Sequence, residues 1–155
     1  MSRKMVILIA AGGSAAMLLA AWGFQYLGGL APCAMCIWQR WPHLAAAVLG
    51  PVAAVTAGPA IPLLGAAAAA PTGGIGVFHT GVERGWWEGP STCTSGPVDG
   101  LTPQELMDQI LAAPLVQCDQ VAWEMLGLSM ASWNAAISFT FVAFWLFAAR
   151  QTSKD

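Results

Sequence analysis

Charged residues divide this chain into long apolar runs. The stretch between Lys4 and Arg40 holds 35 uncharged residues, that between Arg40 and Glu83 holds 42, and that between Glu124 and Arg150 holds 25. A helix needs about 20 apolar residues, at about 1.5 Å each, to cross roughly 30 Å of hydrocarbon. The first run fits one span and a turn, the second two spans with a tight hairpin, and the third one span. The pattern predicts an all-α membrane protein, a four-transmembrane-helix bundle forming one domain over residues 1–155. Its spans run over about 5–24, 37–56, 61–79 and 131–149.

Helix breakers fall where the spans must turn. Gly28-Gly29-Leu30-Ala31-Pro32 ends the first span, and Ala57-Gly58-Pro59-Ala60-Ile61-Pro62 makes the hairpin between the second and third. Pro42 and Pro51 lie inside the second span. Pro71 and Gly73-Gly74 lie inside the third, where the small residues permit close helix approach but Pro71 argues against an unbroken helix.

The tails carry Arg3, Lys4, Arg150 and Lys154, which places both termini on the cytoplasmic side. Two outer segments remain, about 25–36 and 80–130. The longer holds seven of the eight acidic residues and only one basic residue, Arg84, so it supports the same orientation. A cleaved signal peptide would share the basic start and apolar run, but no small-x-small site with a polar continuation follows.

Within the long outer segment, Thr102, Pro103 and Glu105 occupy the N-cap, N1 and N3 positions of a capping box. Leu106, Met107, Ile110 and Leu111 then share one face, and Pro114 ends the helix. This short amphipathic helix fits either the membrane surface or a seat on the bundle.

Composition adds two limits. Charged residues make up 9% of the chain against about a quarter in soluble proteins, and mean hydropathy is +0.61, which reinforces the membrane reading. Net charge is −2 with no basic block, so no nucleic-acid partner is expected.

The four cysteines carry the candidate chemistry. Cys93 and Cys118 close a long loop and suit a structural staple. Cys33 and Cys36 do not, because so small a ring restrains little chain, and CxxC is a recurring redox spacing. Cys36 falls in the first turn of the second span with Arg40 four residues on. The helix dipole and the guanidinium both favour a thiolate there, although an arginine at a span end also snorkels to headgroups. The distant pair lacks zinc-ribbon spacing, and Ile37 rather than His after Cys36 excludes c-type haem attachment, so no metal is expected.

Three stretches together resemble the DsbB family of bacterial inner-membrane, quinone-dependent disulfide oxidases. They are Pro32-Cys33-Ala34-Met35-Cys36-Ile37-Trp38-Gln39-Arg40, the isolated Cys93, and Cys118-Asp119-Gln120-Val121-Ala122-Trp123 followed by Leu126-Gly127-Leu128-Ser129-Met130 and Trp133. Phe78-His79-Thr80-Gly81-Val82-Glu83 with Trp86-Trp87 resembles the end of the third span in part of that family.

The resemblance implies a relay in the inner membrane, with the outer segments periplasmic. A DsbA-type thioredoxin-fold dithiol oxidase attacks a Cys93–Cys118 disulfide at Cys93. Cys118 then attacks Cys33, and Cys36 passes two electrons to ubiquinone or menaquinone from the respiratory quinone pool. Arg40 holds the quinone oxygen and stabilises the Cys36 thiolate. His79 is the candidate histidine beside the quinone, with an interfacial helix-end role as its alternative. His43 shares the Cys36 face, where it either reaches the site or packs as an interfacial polar residue. Glu83 pairs with His79 or Arg84, or is solvated. Trp22, Trp38, Trp41, Trp86, Trp87 and Trp133 suit an interfacial belt.

The relay is demanding. A DsbA-type partner stands near about −120 mV, whereas structural disulfides lie below about −300 mV, a gap of about 8 kcal/mol for two electrons. The disulfides must be strained or exposed, or the quinone must draw the sequence forward. Two rivals are a vitamin K epoxide reductase-like quinone oxidoreductase, whose CxxC lies at the last spans, and a non-enzymatic membrane protein with structural disulfides.

Overall fold

The structure, a computed structural model, describes residues 1–94, 100–112 and 116–151. Four long helices form in chain order: α1 (Arg3–Tyr26), α2 (Ala34–Val55), α3 (Ala60–Glu83) and, after a short α4 (Pro103–Ala112) and a β-hairpin, α5 (Met130–Arg150). Pro114 and Lys154, expected to end α4 and to follow the last span, lie outside the described residues.

Consecutive long helices run antiparallel, and each packs on two neighbours in a closed ring of α1, α2, α3 and α5. α1, α3 and α5 are long and apolar enough to cross a membrane. α2 has 22 residues but is less apolar, because it carries Gln39, Arg40 and His43. Gln39 and His43 are buried, so its polarity faces the other helices.

α3 runs through Pro71 and ends at Glu83, four residues beyond the expected boundary. The α3–α5 packing explains the tolerance. Gly65 lies against the Trp145 ring and Gly76 against the backbone of Ala131 and Ala135, so the backbones approach where side chains are missing. Trp145 is fully buried with Val6, Ile7, Ala46 and Ala69 at the end of the bundle that holds the termini.

That end also explains a hairpin without basic residues. Arg3 donates to the carbonyls of Ala53 (3.2 Å), Thr56 (2.9 Å) and Gly58 (2.8 Å), so the first helix supplies the cation to the free carbonyls at the end of α2.

At the opposite end, β1 (Glu124–Met125) pairs antiparallel with β2 (Leu128–Ser129), Met125 opposite Leu128. Leu126 (φ 55°) and Gly127 (φ 74°) make the two-residue turn, which takes a left-handed conformation at both positions. The hairpin delivers Ser129 as N-cap of α5, its hydroxyl accepting from the Ser132 N–H at 3.2 Å. The expected capping box of α4 is present. The Thr102 N–H donates to Glu105 Oε2 at 2.8 Å, and the Glu105 N–H to Thr102 Oγ1 at 3.4 Å.

Candidate functional site at the cysteine end of the bundle

Cys33 is the N-cap of α2, with extended backbone (φ −74°, ψ 170°) after the Pro32 turn. Its sulfur accepts the Cys36 N–H at 3.2 Å and lies 2.9 Å from Cys36 Sγ. Cys33 is buried and Cys36 half-buried, both as free thiols. The sequence placed the stabilised thiolate at Cys36. In this arrangement Cys33 is the sulfur that receives the helix N-terminus. Its pKa is held down at about 4, first by the Cys36 hydrogen bond, against the opposing effect of burial, and further by His79. Arg40 does not turn to either sulfur. Its Nη1 donates to Gln25 Oε1 at 2.7 Å.

Cys93 and Cys118 form a disulfide, 25 residues apart with Cα atoms 5.4 Å apart. The Cys118 N–H also donates to the Cys93 carbonyl at 2.6 Å. Both sulfurs are buried in one cluster with Cys33, Met35 and Val82, so this disulfide is not an exposed one. The two pairs meet: Cys33 Sγ, Cys118 Sγ and a ring nitrogen of His79 all lie within 4.8 Å of one another. With the Cys118 sulfur committed to a disulfide, this trio is a thiol–disulfide junction rather than a set of three metal ligands.

The longer α3 places His79 and Glu83 on one face. His79 Nε2 stands 3.7 Å from Cys33 Sγ and 3.8 Å from Glu83 Oε1. The Ser129 hydroxyl donates to Glu83, so the residue delivered by the β-hairpin fixes the carboxylate. Arg84 turns away, to the Gly127 carbonyl and the face of Trp86.

Behind His79 runs a buried polar chain that the sequence reading did not assemble. Gln39 Nε2 lies 3.2 Å from His79 Nδ1, and Asn134 Nδ2 donates to Gln39 Oε1 at 2.6 Å. Asn134 Oδ1 lies 2.9 Å from His43 Nε2, with Ser138 Oγ at 3.4 Å from the same nitrogen. Asn134, Thr72 and Ser138 stood in the sequence as isolated polar residues within apolar spans, which is itself a functional signal.

A cavity of about 130 Å³ opens among α1, α2, α3, α5 and the Cys118 segment. Cys33, Cys36, Arg40, His43, His79 and Glu83 line it, and Leu18, Phe24 and Leu30 give it apolar walls. Of the tryptophans assigned to the interfacial belt, Trp22, Trp38, Trp41, Trp86 and Trp87 are exposed and Trp133 half-buried, and none lines the cavity. Among the described residues, Arg40 Nε is buried without a hydrogen-bond partner. An unsatisfied donor, apolar walls and two thiols at one rim fit a flat, uncharged ring bearing carbonyl oxygens.

The family model for DsbB, disulfide bond formation protein DsbB, matches residues 3–148. The chain belongs to the DsbB family. A disulfide bond formation protein B from Polaromonas sp. (strain JS666 / ATCC BAA-500) is 28% identical over 142 residues, which cover 86% of this chain and 82% of the relative. No solved structure matches significantly. DsbB membership makes this chain a helical membrane protein of disulfide bond formation, a thiol–disulfide oxidoreductase, and its three apolar helices are the candidate membrane spans.

Proposed function

We propose that this chain reoxidises a DsbA-type periplasmic dithiol oxidase and passes the two electrons to a membrane quinone. The observation that carries the reading is the junction itself. Cys118 of one pair and Cys33 of the other lie within 4.8 Å, and the second pair lines a cavity with an unpartnered arginine nitrogen.

The exchange balances without added oxidant. A partner thiolate attacks Cys93, the Cys93–Cys118 bond breaks, and Cys118 leaves as a thiolate. Cys118 attacks Cys33 of a Cys33–Cys36 disulfide, and Cys36 leaves as a thiolate. The partner's second thiol releases Cys93, and Cys93 returns to Cys118, freeing Cys33. The partner ends as a disulfide and Cys33–Cys36 as a dithiol. Bound quinone supplies the two-electron, two-proton sink that restores the Cys33–Cys36 bond. Cys36, Arg40 and His79 line the cavity that would hold it, Arg40 donating to an oxygen while His79 Nε2 donates toward the neighbouring Cys33 sulfur.

In this reading α2 is the fourth span, its polar face turned inward. The protein sits in the bacterial inner membrane with both termini cytoplasmic and residues about 25–36 and 80–130 periplasmic. α4 then lies on the periplasmic face of that membrane, since Met107, Ile110 and Leu111 are exposed.

The test mixes purified protein, a reduced DsbA-type partner and ubiquinone or menaquinone, and follows quinone absorbance. Quinone loss that disappears in Cys36→Ser supports the reading. Absence of quinone loss in the unaltered protein overturns it.

A further inference from the structure

The amide chain behind the cavity fixes which nitrogen of His43 carries its proton. Asn134 Nδ2 faces the Thr72 backbone carbonyl at 3.3 Å, and a carbonyl only accepts, so that atom is the amide nitrogen. Asn134 Oδ1 therefore faces His43 Nε2 at 2.9 Å. Two acceptors would repel there, so Nε2 carries the hydrogen and Nδ1 of the neutral ring is bare. Phe141, edge-on to the His43 ring with centroids 6.5 Å apart, restrains its plane. His43 is 3% exposed, lines the cavity, and its Nδ1 has no partner among the described residues.

Arg40 and His43 lie three residues apart on α2, neighbours on one helical face with a rise of about 4.5 Å between them. Each leaves one buried ring or guanidinium nitrogen unsatisfied, and the two are opposite in kind. Arg40 Nε offers a hydrogen, whereas His43 Nδ1 offers a lone pair. A carbonyl or an oxyanion suits the first. The second repels a carbonyl and requires a hydroxyl.

We propose that His43 Nδ1 is a hydroxyl-accepting site that makes the cavity prefer the hydroquinone form of its ligand, a function resting on the quinone reading above. A fully oxidised ring satisfies Arg40 but presents an unmatched oxygen to His43. The reduced ring satisfies both. Tighter binding of the reduced form makes the bound quinone a stronger oxidant by linkage, which is what a dithiol of high potential demands.

The test titrates short-tailed ubiquinone, and separately its quinol without oxygen, into the full-length protein in detergent and reads the two dissociation constants. His43→Gln keeps an amide N–H where Nε2 donates to Asn134 but has no acceptor at the Nδ1 position. It is expected to weaken quinol binding about tenfold while quinone binding changes less than about twofold. His43→Asn places an amide oxygen near the Nδ1 position and is expected to restore part of the quinol preference. In the unaltered protein, the ¹⁵N resonance of Nδ1 is expected to move with quinol and to stay with quinone. Equal weakening of both forms, or none, in His43→Gln overturns the His43 assignment alone. Failure of the unaltered protein to bind either form overturns the quinone reading beneath it.

Discussion

His79 Nε2 stands 3.7 Å from Cys33 Sγ while its Nδ1 faces the Gln39 amide nitrogen at 3.2 Å. Gln39 Nε2 also donates to the Met35 backbone carbonyl, so it is the nitrogen, and His79 Nδ1 must accept. The neutral His79 ring therefore carries its hydrogen on Nε2, toward the cysteine. That hydrogen points at the Cys33 sulfur, where it is placed to be donated to a thiolate.

The Cys33 pKa of about 4 lies far below the ordinary 9.0, and the Cys36 hydrogen bond is its first cause. With Cys93 and Cys118 both replaced by Ala, so that Cys33 has no disulfide to attack, Cys36→Ala is expected to raise it more than His79→Phe, read from thiolate ultraviolet absorbance during a pH titration. Because the folded value is depressed, an unfolded chain holds the proton across the interval where the folded one has lost it. Stability of the reduced protein should therefore rise with pH between about 4 and about 9 and lose this contribution as pH falls toward about 4. A flat profile in that window would contradict the assignment.

Removing Cys36 should also expose the junction. In Cys36→Ala, the Cys33 thiolate attacks Cys118, a Cys33–Cys118 disulfide forms and Cys93 is released as a thiolate. Peptide mapping without reductant should recover the cross-linked peptides of Cys33 and Cys118 with Cys93 alkylated. Recovery of Cys93–Cys118 alone would mean that the two pairs do not communicate.

Helix packing gives a prediction independent of chemistry. A Cβ at Gly65 would come within 2.5 Å of the Trp145 ring, whereas one at Gly74 meets nothing within 4 Å. Gly65→Ala should cost about 1–3 kcal/mol in thermal unfolding followed in detergent. Gly74→Ala should be neutral or slightly stabilising. Equal effects at the two positions would refute the close α3–α5 approach.

The α4 cap should fail in acid. Hydrogen bonds from Thr102 hold the Glu105 carboxyl below its usual range. Their contribution is present above that range and is lost as pH falls through the lowered value. Amide exchange in α4 should accelerate on acidification, and Thr102→Ala should accelerate it at neutral pH. α1 and α5 should be unaffected in both experiments.

Finally, fully reduced protein kept anaerobic in quinone-free detergent should stay reduced, and added quinone should reoxidise both pairs. Thiol counting by alkylation reads the result, and spontaneous reoxidation without quinone would remove the need for a membrane acceptor.

Most of this architecture was written in the spacing of charges. Uncharged runs ended by Gly-Pro turns marked α1, α2, α3 and α5, and the box at Thr102 and Glu105 marked α4. The β-hairpin escaped because its strands have two residues each, and its turn places a leucine, Leu126, where Asn or Gly is the usual cue. The expected third span stops where polarity begins at His79, whereas the helix itself continues to Glu83. The cysteines were legible as pairs, but the favoured sulfur was not. Counting four residues from Cys36 to Arg40 finds a shared face without showing that Gln25 takes the guanidinium. The Gln39–Asn134 contact joins positions 95 residues apart, and no local pattern in the sequence brings such residues together.

If the Cys93–Cys118 bond serves as the proposed oxidising store, its burial bears on how that store survives among small thiols. With Cys93 1% and Cys118 0% exposed, a freely diffusing thiol finds no sulfur to attack. In the proposed relay, only a partner that grips the polypeptide around Cys93 and lifts it can discharge the bond. Access, more than driving force, would then decide who is served, and the fold would work as electrical insulation around a keyed terminal.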